Sequence, residues 1–152
     1  MKIRLLPFLF LFLMCLSFVN TTSGYAESRK EKWVFMGFTK YRDALYIETN
    51  SITHSSQNIY WVWSLMAPSE RSRYLQQVKN ELQRSNKSTD GLKYIEVLNQ
   101  IDCTNKRIRY MRIEYLTNEG KMIHSAEATD QEWKAIYPGS LWHTMQNAAC
   151  GK

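Results

Sequence analysis

Alternation of apolar and polar residues predicts six β-strands in the central part of the chain. Gly, Asn and Asp separate these runs, and β-branched and aromatic residues dominate them. The predicted strands cover Trp33–Thr39, Ala44–Thr49, Ile59–Ala67, Leu92–Cys103, Arg107–Leu116 and Lys121–Ala126. In Ile59–Ala67, Trp61 and Trp63 lie on one face and Tyr60 and Val62 on the other, so both faces are apolar. Such a strand is either covered on both faces or meets a partner with its second face.

Two other segments follow the 3.6-residue period of an α-helix. Glu70–Arg84 places Tyr74, Leu75, Val78 and Leu82 on one stripe, and Leu141–Ala149 is a second helix near the C-terminus. Ser140, after Pro138 and Gly139, suits the N-cap position of that second helix. The connections between most strands are short, which favours antiparallel pairing. The pattern therefore predicts an α+β fold: one six-stranded antiparallel sheet, a C-terminal helix, and a helix inserted between strands 3 and 4.

The N-terminal residues have the pattern of a secretory signal peptide. Two basic residues in Met1–Arg4 precede the apolar run Leu5–Val19, and Gly24-Tyr25-Ala26 offers a cleavage site after Ala26. The alternative is an uncleaved membrane anchor, but the run is shorter than the roughly 20 residues that span a bilayer. We expect residues 1–26 to be removed and residues 27–152 to form one exported domain.

Cysteine usage adds a covalent constraint to this fold. Cys15 is lost with the signal peptide, so Cys103 and Cys150 are the two cysteines of the mature chain. In an oxidising compartment they are expected to form a disulfide that ties the C-terminal helix to the sheet. Two free thiols, or a bridge between two chains, remain the alternatives.

The sequence contains few of the patterns that support catalysis or cofactor binding. His54, His124 and His143 lack metal-ligand spacing, and there is no glycine-rich phosphate loop. Ser140 and His143 lie one turn apart, which permits a hydrolase hypothesis, but the N-cap role explains Ser140 better. We therefore expect a non-enzymatic protein without a cofactor, and export argues against nucleic acid as a partner.

Charged residues give two candidate sites. The mature chain has 18 basic and 14 acidic residues, a net charge of +4. The inserted helix carries a basic face that could meet an acidic partner, although an ordinary solvated face is at least as good an interpretation. Its residues are Arg71, Arg73, Lys79, Arg84 and Lys87. Asp102, Arg107 and Arg109 flank a tight turn, where a carboxylate and two guanidinium groups are expected to fix the hairpin rather than to bind a ligand.

Several of these motifs together resemble the bacterial surface-adhesin protein E family. They are Asp102-Cys103 with Arg107 and Arg109, Trp133 with Pro138-Gly139-Ser140, and Cys150-Gly151, and the similarity extends from Trp33 to Gly151. The resemblance implies a single antiparallel sheet with a disulfide-linked C-terminal helix, and a location at the cell surface or in the periplasm. It also implies binding of host laminin, vitronectin and plasminogen, and formation of a homodimer.

Two functional hypotheses follow. The first is an exported, non-enzymatic binding protein that resembles surface adhesins and binds host extracellular-matrix or plasma proteins. The alternative is a periplasmic envelope interaction module with no host-binding role. This alternative is supported by the residue before Cys15. That residue is the bulky Met14, which does not suit the lipid-attachment motif of a surface lipoprotein.

Overall fold

The computed structural model describes residues 33–151, which fold into an antiparallel sheet with two α-helices. The predicted signal peptide, residues 1–26, lies outside the described residues. The strands are β1 (Val34–Phe38), β2 (Ala44–Ile47), β3 (Thr53–Ser56), β4 (Ile59–Ala67), β5 (Leu92–Asp102), β6 (Arg107–Thr117), β7 (Met122–Glu127) and β8 (Lys134–Ala135). The helices are α1 (Arg73–Arg84) and α2 (Leu141–Cys150).

The strands form one sheet in the order β1-β2-β4-β5-β6-β7, and every neighbouring pair is antiparallel. β4 has two partners on one side, because β2 pairs with its last residues and β3 with its first ones. β8 likewise pairs with the start of β6, beyond the part of β6 that pairs with β7.

The predicted strand count was wrong, because the described residues form eight strands and not six. β3 was missed because its Thr53-His54-Ser55-Ser56 segment is polar and exposed and has no apolar alternation. β8 is two exposed residues that are recognisable only by their pairing with Arg107 and Ile108. The antiparallel sheet, the C-terminal helix and the disulfide are confirmed.

Both helices pack on the same face of the sheet. The β4–β5 register is unbroken, so Val62 and Met66 of β4 point to one side together with Ile95 and Ile101 of β5. Around Ile101 a cluster forms with α2, and around Ile95 a second cluster forms with α1. The α2 cluster comprises Ile47, Val62, Ile101, Ile108, Ile136, Met145 and Ala149. The α1 cluster comprises Val78, Leu82, Leu92, Ile95 and Tyr115.

A polar residue, Asn99, separates the two clusters. Its side chain is fully buried, and its Nδ2 donates to Ser64 Oγ at 2.9 Å and to the Val97 carbonyl at 2.8 Å. The sheet is irregular here, because the β5–β6 register shifts between Leu98 and Asn99. That shift keeps Ile108 and Tyr110 on the same face as Ile113 and Tyr115. β6 therefore contributes side chains to the clusters of both helices.

Candidate binding surfaces

The sheet face opposite the helices is called the helix-free face here, and no helix of residues 33–151 covers it. Register places aromatic side chains on its β1, β2 and β4 side and arginines on β6. The aromatic residues are Phe35, Phe38, Tyr46, Trp61 and Trp63, and the arginines are Arg107, Arg109 and Arg112. The face of the Ile59–Ala67 strand that carries Trp61 and Trp63 therefore lies on this side of the protein.

The turn between β5 and β6 is fixed by Asp102, which is buried. Its carboxylate accepts hydrogen bonds from the backbone N–H of Asn105 at 2.9 Å, from Asn105 Nδ2 at 2.8 Å and from Arg107 Nη2 at 2.9 Å. Lys106 completes the turn with a positive φ of 51°. Of the two predicted arginines, Arg107 makes the ion pair, while Arg109 has another role.

Arg109 joins β6 to the segment that follows β7. Its Nε donates to Gln100 Oε1 at 2.7 Å, and its guanidinium carbon lies 4.5 Å from the ring centroid of Trp133. The Arg107 guanidinium lies 5.3 Å from the same ring, so Trp133 packs against two cations. The Ile136 N–H donates to the Lys106 carbonyl at 2.8 Å. Trp133 thus anchors the crossover to the hairpin turn, while the buried Arg107 Nε has no hydrogen-bond partner among residues 33–151.

Asp102 makes the stability of this hairpin dependent on pH. Removal from water opposes ionisation of this carboxyl, but hydrogen bonds from Asn105 and Arg107 outweigh that effect and lower its pKa below the usual 3.8. A carboxyl group whose pKa is lower in the folded state stabilises the protein at pH values above its unfolded-state pKa. This stabilisation is lost as the pH falls through the folded-state pKa. We expect Asp102→Asn to lower the free energy of unfolding at pH 7, with the difference from wild type shrinking below pH 3.8.

Urea unfolding of both proteins between pH 7 and pH 2.5 measures this effect. Asp130→Asn is a suitable control, because Asp130 is an exposed partner of Lys134 and should change stability little at any pH. An Asp102→Asn penalty that is equal at pH 7 and at pH 2.5 would contradict the assignment.

Ser140 and His143 are both used in forming the start of α2. Ser140 Oγ accepts the His143 N–H at 3.1 Å, and His143 Nδ1 faces the Gly139 N–H at 3.3 Å. Gly139 has a positive φ of 76°, which suits glycine in the turn after Pro138. The two side chains are thus engaged with backbone groups in an N-cap arrangement, and the geometry does not favour a nucleophile–base pair.

The basic residues of the inserted helix lie at its two ends. Arg73 and Arg84 are eleven residues apart, close to three full turns, so they project from the same exposed side about 16 Å apart. Arg71 adds to the first end and Lys87 to the second, and all four are exposed. Lys79, between them, is half-buried and lies toward the flank of the helix. The structure therefore shows two basic ends rather than one continuous patch.

Sequence reasoning missed the basic residues that extend the first of these ends. Lys40 Nζ lies 5.0 Å and the Arg73 guanidinium carbon 5.7 Å from the centroid of the Tyr41 ring. Arg42 lies over Phe38 at 5.9 Å. The β1–β2 turn meets α1 only in the folded chain, although the short run Lys40-Tyr41-Arg42, which follows two phenylalanines, was a usable signal.

Residues 33–151 contain neither a membrane-spanning helix nor a cluster of metal-ligating side chains. No helix in that range is long and apolar enough to cross a membrane. No group of three or more His, Cys, Asp or Glu side chains there could hold a metal ion.

Comparison with known proteins supports a specific family. The model of the surface-adhesin protein E family matches residues 33–151. The selenomethionine form of Haemophilus influenzae protein E has 12% sequence identity and a TM-score of 0.53, covering 87% of this chain and 89% of that chain. Another structure of protein E from that organism has 13% identity and a TM-score of 0.51, covering 87% of each chain.

At such low identity these structures establish a shared fold and not a shared ligand. No curated protein sequence matches the chain. Because the family match spans the whole described part of the chain, the protein belongs to the surface-adhesin protein E family.

Proposed function

We propose that this protein is an exported, non-enzymatic adhesin that binds acidic segments of host matrix or plasma proteins through the basic residues around α1. Family membership supports an adhesin, and the N-terminal sequence supports export. The main support for this binding site is the orientation of α1. Val78 and Leu82 face the sheet, whereas Arg73 and Arg84 project into solvent. Laminin, vitronectin and plasminogen are the proposed partners.

The spacing of the basic ends defines what they can recognise. Two positive ends about 16 Å apart fit an extended acidic segment better than a single anionic group, since one small anion cannot contact both. Exposed charge contacts contribute roughly 0.2–1 kcal/mol each and are screened by salt. A surface of this kind gives moderate affinity that depends strongly on ionic strength.

The test is binding of the purified protein to immobilised laminin, vitronectin and plasminogen at 50 to 300 mM salt. We expect saturable binding that weakens with salt, and a roughly tenfold loss at low salt in Arg71→Gln/Arg84→Gln/Lys87→Gln, since three lost contacts sum to roughly 0.6–3 kcal/mol and tenfold is about 1.4 kcal/mol. Lys93→Gln/Lys106→Gln/Lys121→Gln is the matched control, because it removes the same charge at other exposed positions. Equal losses in the two triple variants would show that net charge, and not this surface, drives binding.

We further propose that the protein lies at the cell surface and that it forms a homodimer. Protease treatment of intact cells tests the location, and light scattering of the purified protein tests the assembly. A protein that is protected in intact cells, and that ignores all three host proteins, would instead be the periplasmic interaction module.

A further inference from the structure

We infer that a second surface, at the corner where β1 meets the β1–β2 turn and the start of α1, binds an anionic phospholipid surface. We call it the aromatic–basic corner. It consists of Phe35, Phe38, Lys40, Tyr41, Arg42 and Arg73. It shares Arg73 with the first basic end of α1, lies apart from the C-terminal end of that helix, and uses aromatic residues that the proposed adhesin site does not.

The first observation is the exposure of two phenylalanines on an edge strand. Phe35 is 49% and Phe38 59% exposed, and their ring centroids are 5.0 Å apart. Phe35 also packs edge-on against Tyr46 at 5.5 Å. Phenylalanine is usually among the buried residues of a domain, so two adjacent exposed rings mark an interaction surface.

A β-bulge places both rings on the same side. The β1–β2 register shifts between Phe35 and Gly37, so Phe35 pairs with Tyr46 and Phe38 with Ala44, both on the helix-free face. In a regular strand, residues three apart would point to opposite faces. The bulge residue Met36 instead packs into the α2 core cluster. The local backbone therefore directs Phe35 and Phe38 outward as a pair.

The second observation is an excess of exposed positive charge beside these rings. The guanidinium carbon of Arg42 lies 5.9 Å from the Phe38 ring centroid, while Lys40 and Arg73 lie over Tyr41. Asp43, the carboxylate that follows Arg42 in the sequence, is 2% exposed and is engaged inward. Its Oδ2 accepts from Thr39 Oγ1 and its Oδ1 from the Ser69 N–H, each at 2.9 Å.

The corner is held in place before any partner arrives. Thr39 Oγ1 accepts the N–H groups of Tyr41 and Asp43 at 3.2 Å, and the Arg42 N–H donates to the Thr39 carbonyl at 2.9 Å. Ser69 Oγ donates to the Tyr41 carbonyl at 2.7 Å, which joins the turn to the segment before α1. A pre-ordered turn loses little conformational entropy on binding.

The combination favours a phospholipid surface over an acidic protein or glycan. Phenylalanine side chains that project from an edge can enter the boundary between headgroups and acyl chains, while adjacent lysines and arginines contact lipid phosphates. An acidic polymer would use the cations but would leave the two rings in water. Dependence on Phe35 and Phe38, as well as on charge, is thus the distinguishing property of the proposed partner.

The experiment is co-sedimentation of the purified exported protein with vesicles of 30% phosphatidylglycerol in phosphatidylcholine. We expect binding that weakens with salt and that is at least tenfold weaker to vesicles of phosphatidylcholine alone. Phe35→Ser/Phe38→Ser should bind at least tenfold more weakly with an unchanged salt dependence. Lys40→Gln/Arg42→Gln should bind several-fold more weakly with a flatter salt dependence.

Met122→Ser is the matched control, because Met122 is 51% exposed on the opposite edge strand β7. It should bind the vesicles as the wild type does, and the single variant Phe38→Ser serves if the double variant loses its cooperative unfolding. Wild-type protein that ignores the anionic vesicles, or a Phe35→Ser/Phe38→Ser variant that binds them normally, would overturn the inference. Vesicle binding that persists in Arg71→Gln/Arg84→Gln/Lys87→Gln, which spares the corner, would support it independently of the adhesin proposal.

Discussion

Removing the Cys103–Cys150 disulfide is expected to lower the free energy of unfolding by about 4 kcal/mol, from the loop-closure entropy of an unfolded chain cross-linked across this distance. The two cysteines are separated by 47 residues and join the β5–β6 turn to the last residue of α2. Urea unfolding of Cys103→Ser/Cys150→Ser, compared with the oxidised wild type, measures the loss. Since a small domain has only about 5–15 kcal/mol of stability, the loss is a large part of the total.

The position of the disulfide also predicts which part of the structure loosens first. α2 has ten residues, too few for a stable isolated helix, so it depends on docking to the sheet. We expect amide exchange in α2 to accelerate on reduction before exchange in β4 and β5 does. Treating Cys103→Ser/Cys150→Ser with the same reductant controls for other effects of the reagent. Unchanged protection of α2 after reduction would contradict the role of the disulfide as a clamp.

Periodicity in the sequence predicted the elements that form the core. β4, β5 and β6 have long apolar faces, and the apolar stripe predicted for α1 is the side of that helix that packs in the α1 cluster. β3 and β8 carry no such signal, because their pairing is made possible by the free edges of β4 and β6 rather than by their own side chains. Local pattern therefore identifies strands that bury residues and misses strands that only add hydrogen bonds.

Periodicity could not predict which face of the sheet each helix covers. A helical stripe shows which side of the helix is buried, but α1 could have packed on either face of β4, since both are apolar. The choice depends on the connection from β4 to α1, where Ser69 bonds to Asp43 and Tyr41 across the sheet end. The same long-range contacts create the aromatic–basic corner, which is why the sequence pointed to the basic helix alone.

The candidate site residues show the same division between local and long-range information. The Asp102–Arg107 pair spans five positions and was visible in the sequence. The partners of Arg109 were not, because Gln100 lies across the β-ladder and Trp133 arrives from a segment 24 residues further on. Residues that act within one turn could be assigned roles from sequence, whereas those on a surface assembled from three segments could not.

Met145→Ala is expected to lower the free energy of unfolding of the oxidised protein by about 2–5 kcal/mol, the usual cost of truncating a fully buried methionine. Met145 has no exposed surface and lies in the α2 cluster with Val62, Ile101 and Ile108. Urea unfolding of the variant measures the cost. Leu82→Ala is the control, because Leu82 is buried in the separate α1 cluster and should cost a similar amount.

Combining these variants with the loss of the disulfide separates docking of α2 from general stability. Met145 stabilises the protein only while α2 is docked, so its cost cannot exceed the free energy needed to undock the helix. If the disulfide supplies most of that free energy, Met145→Ala should cost much less in Cys103→Ser/Cys150→Ser than in the oxidised wild type. Leu82→Ala should cost the same in both backgrounds to within about 0.5 kcal/mol, because Leu82 lies in the α1 cluster and not in the cluster that α2 forms. Equal costs for Met145→Ala in the two backgrounds would mean that packing alone holds α2 on the sheet.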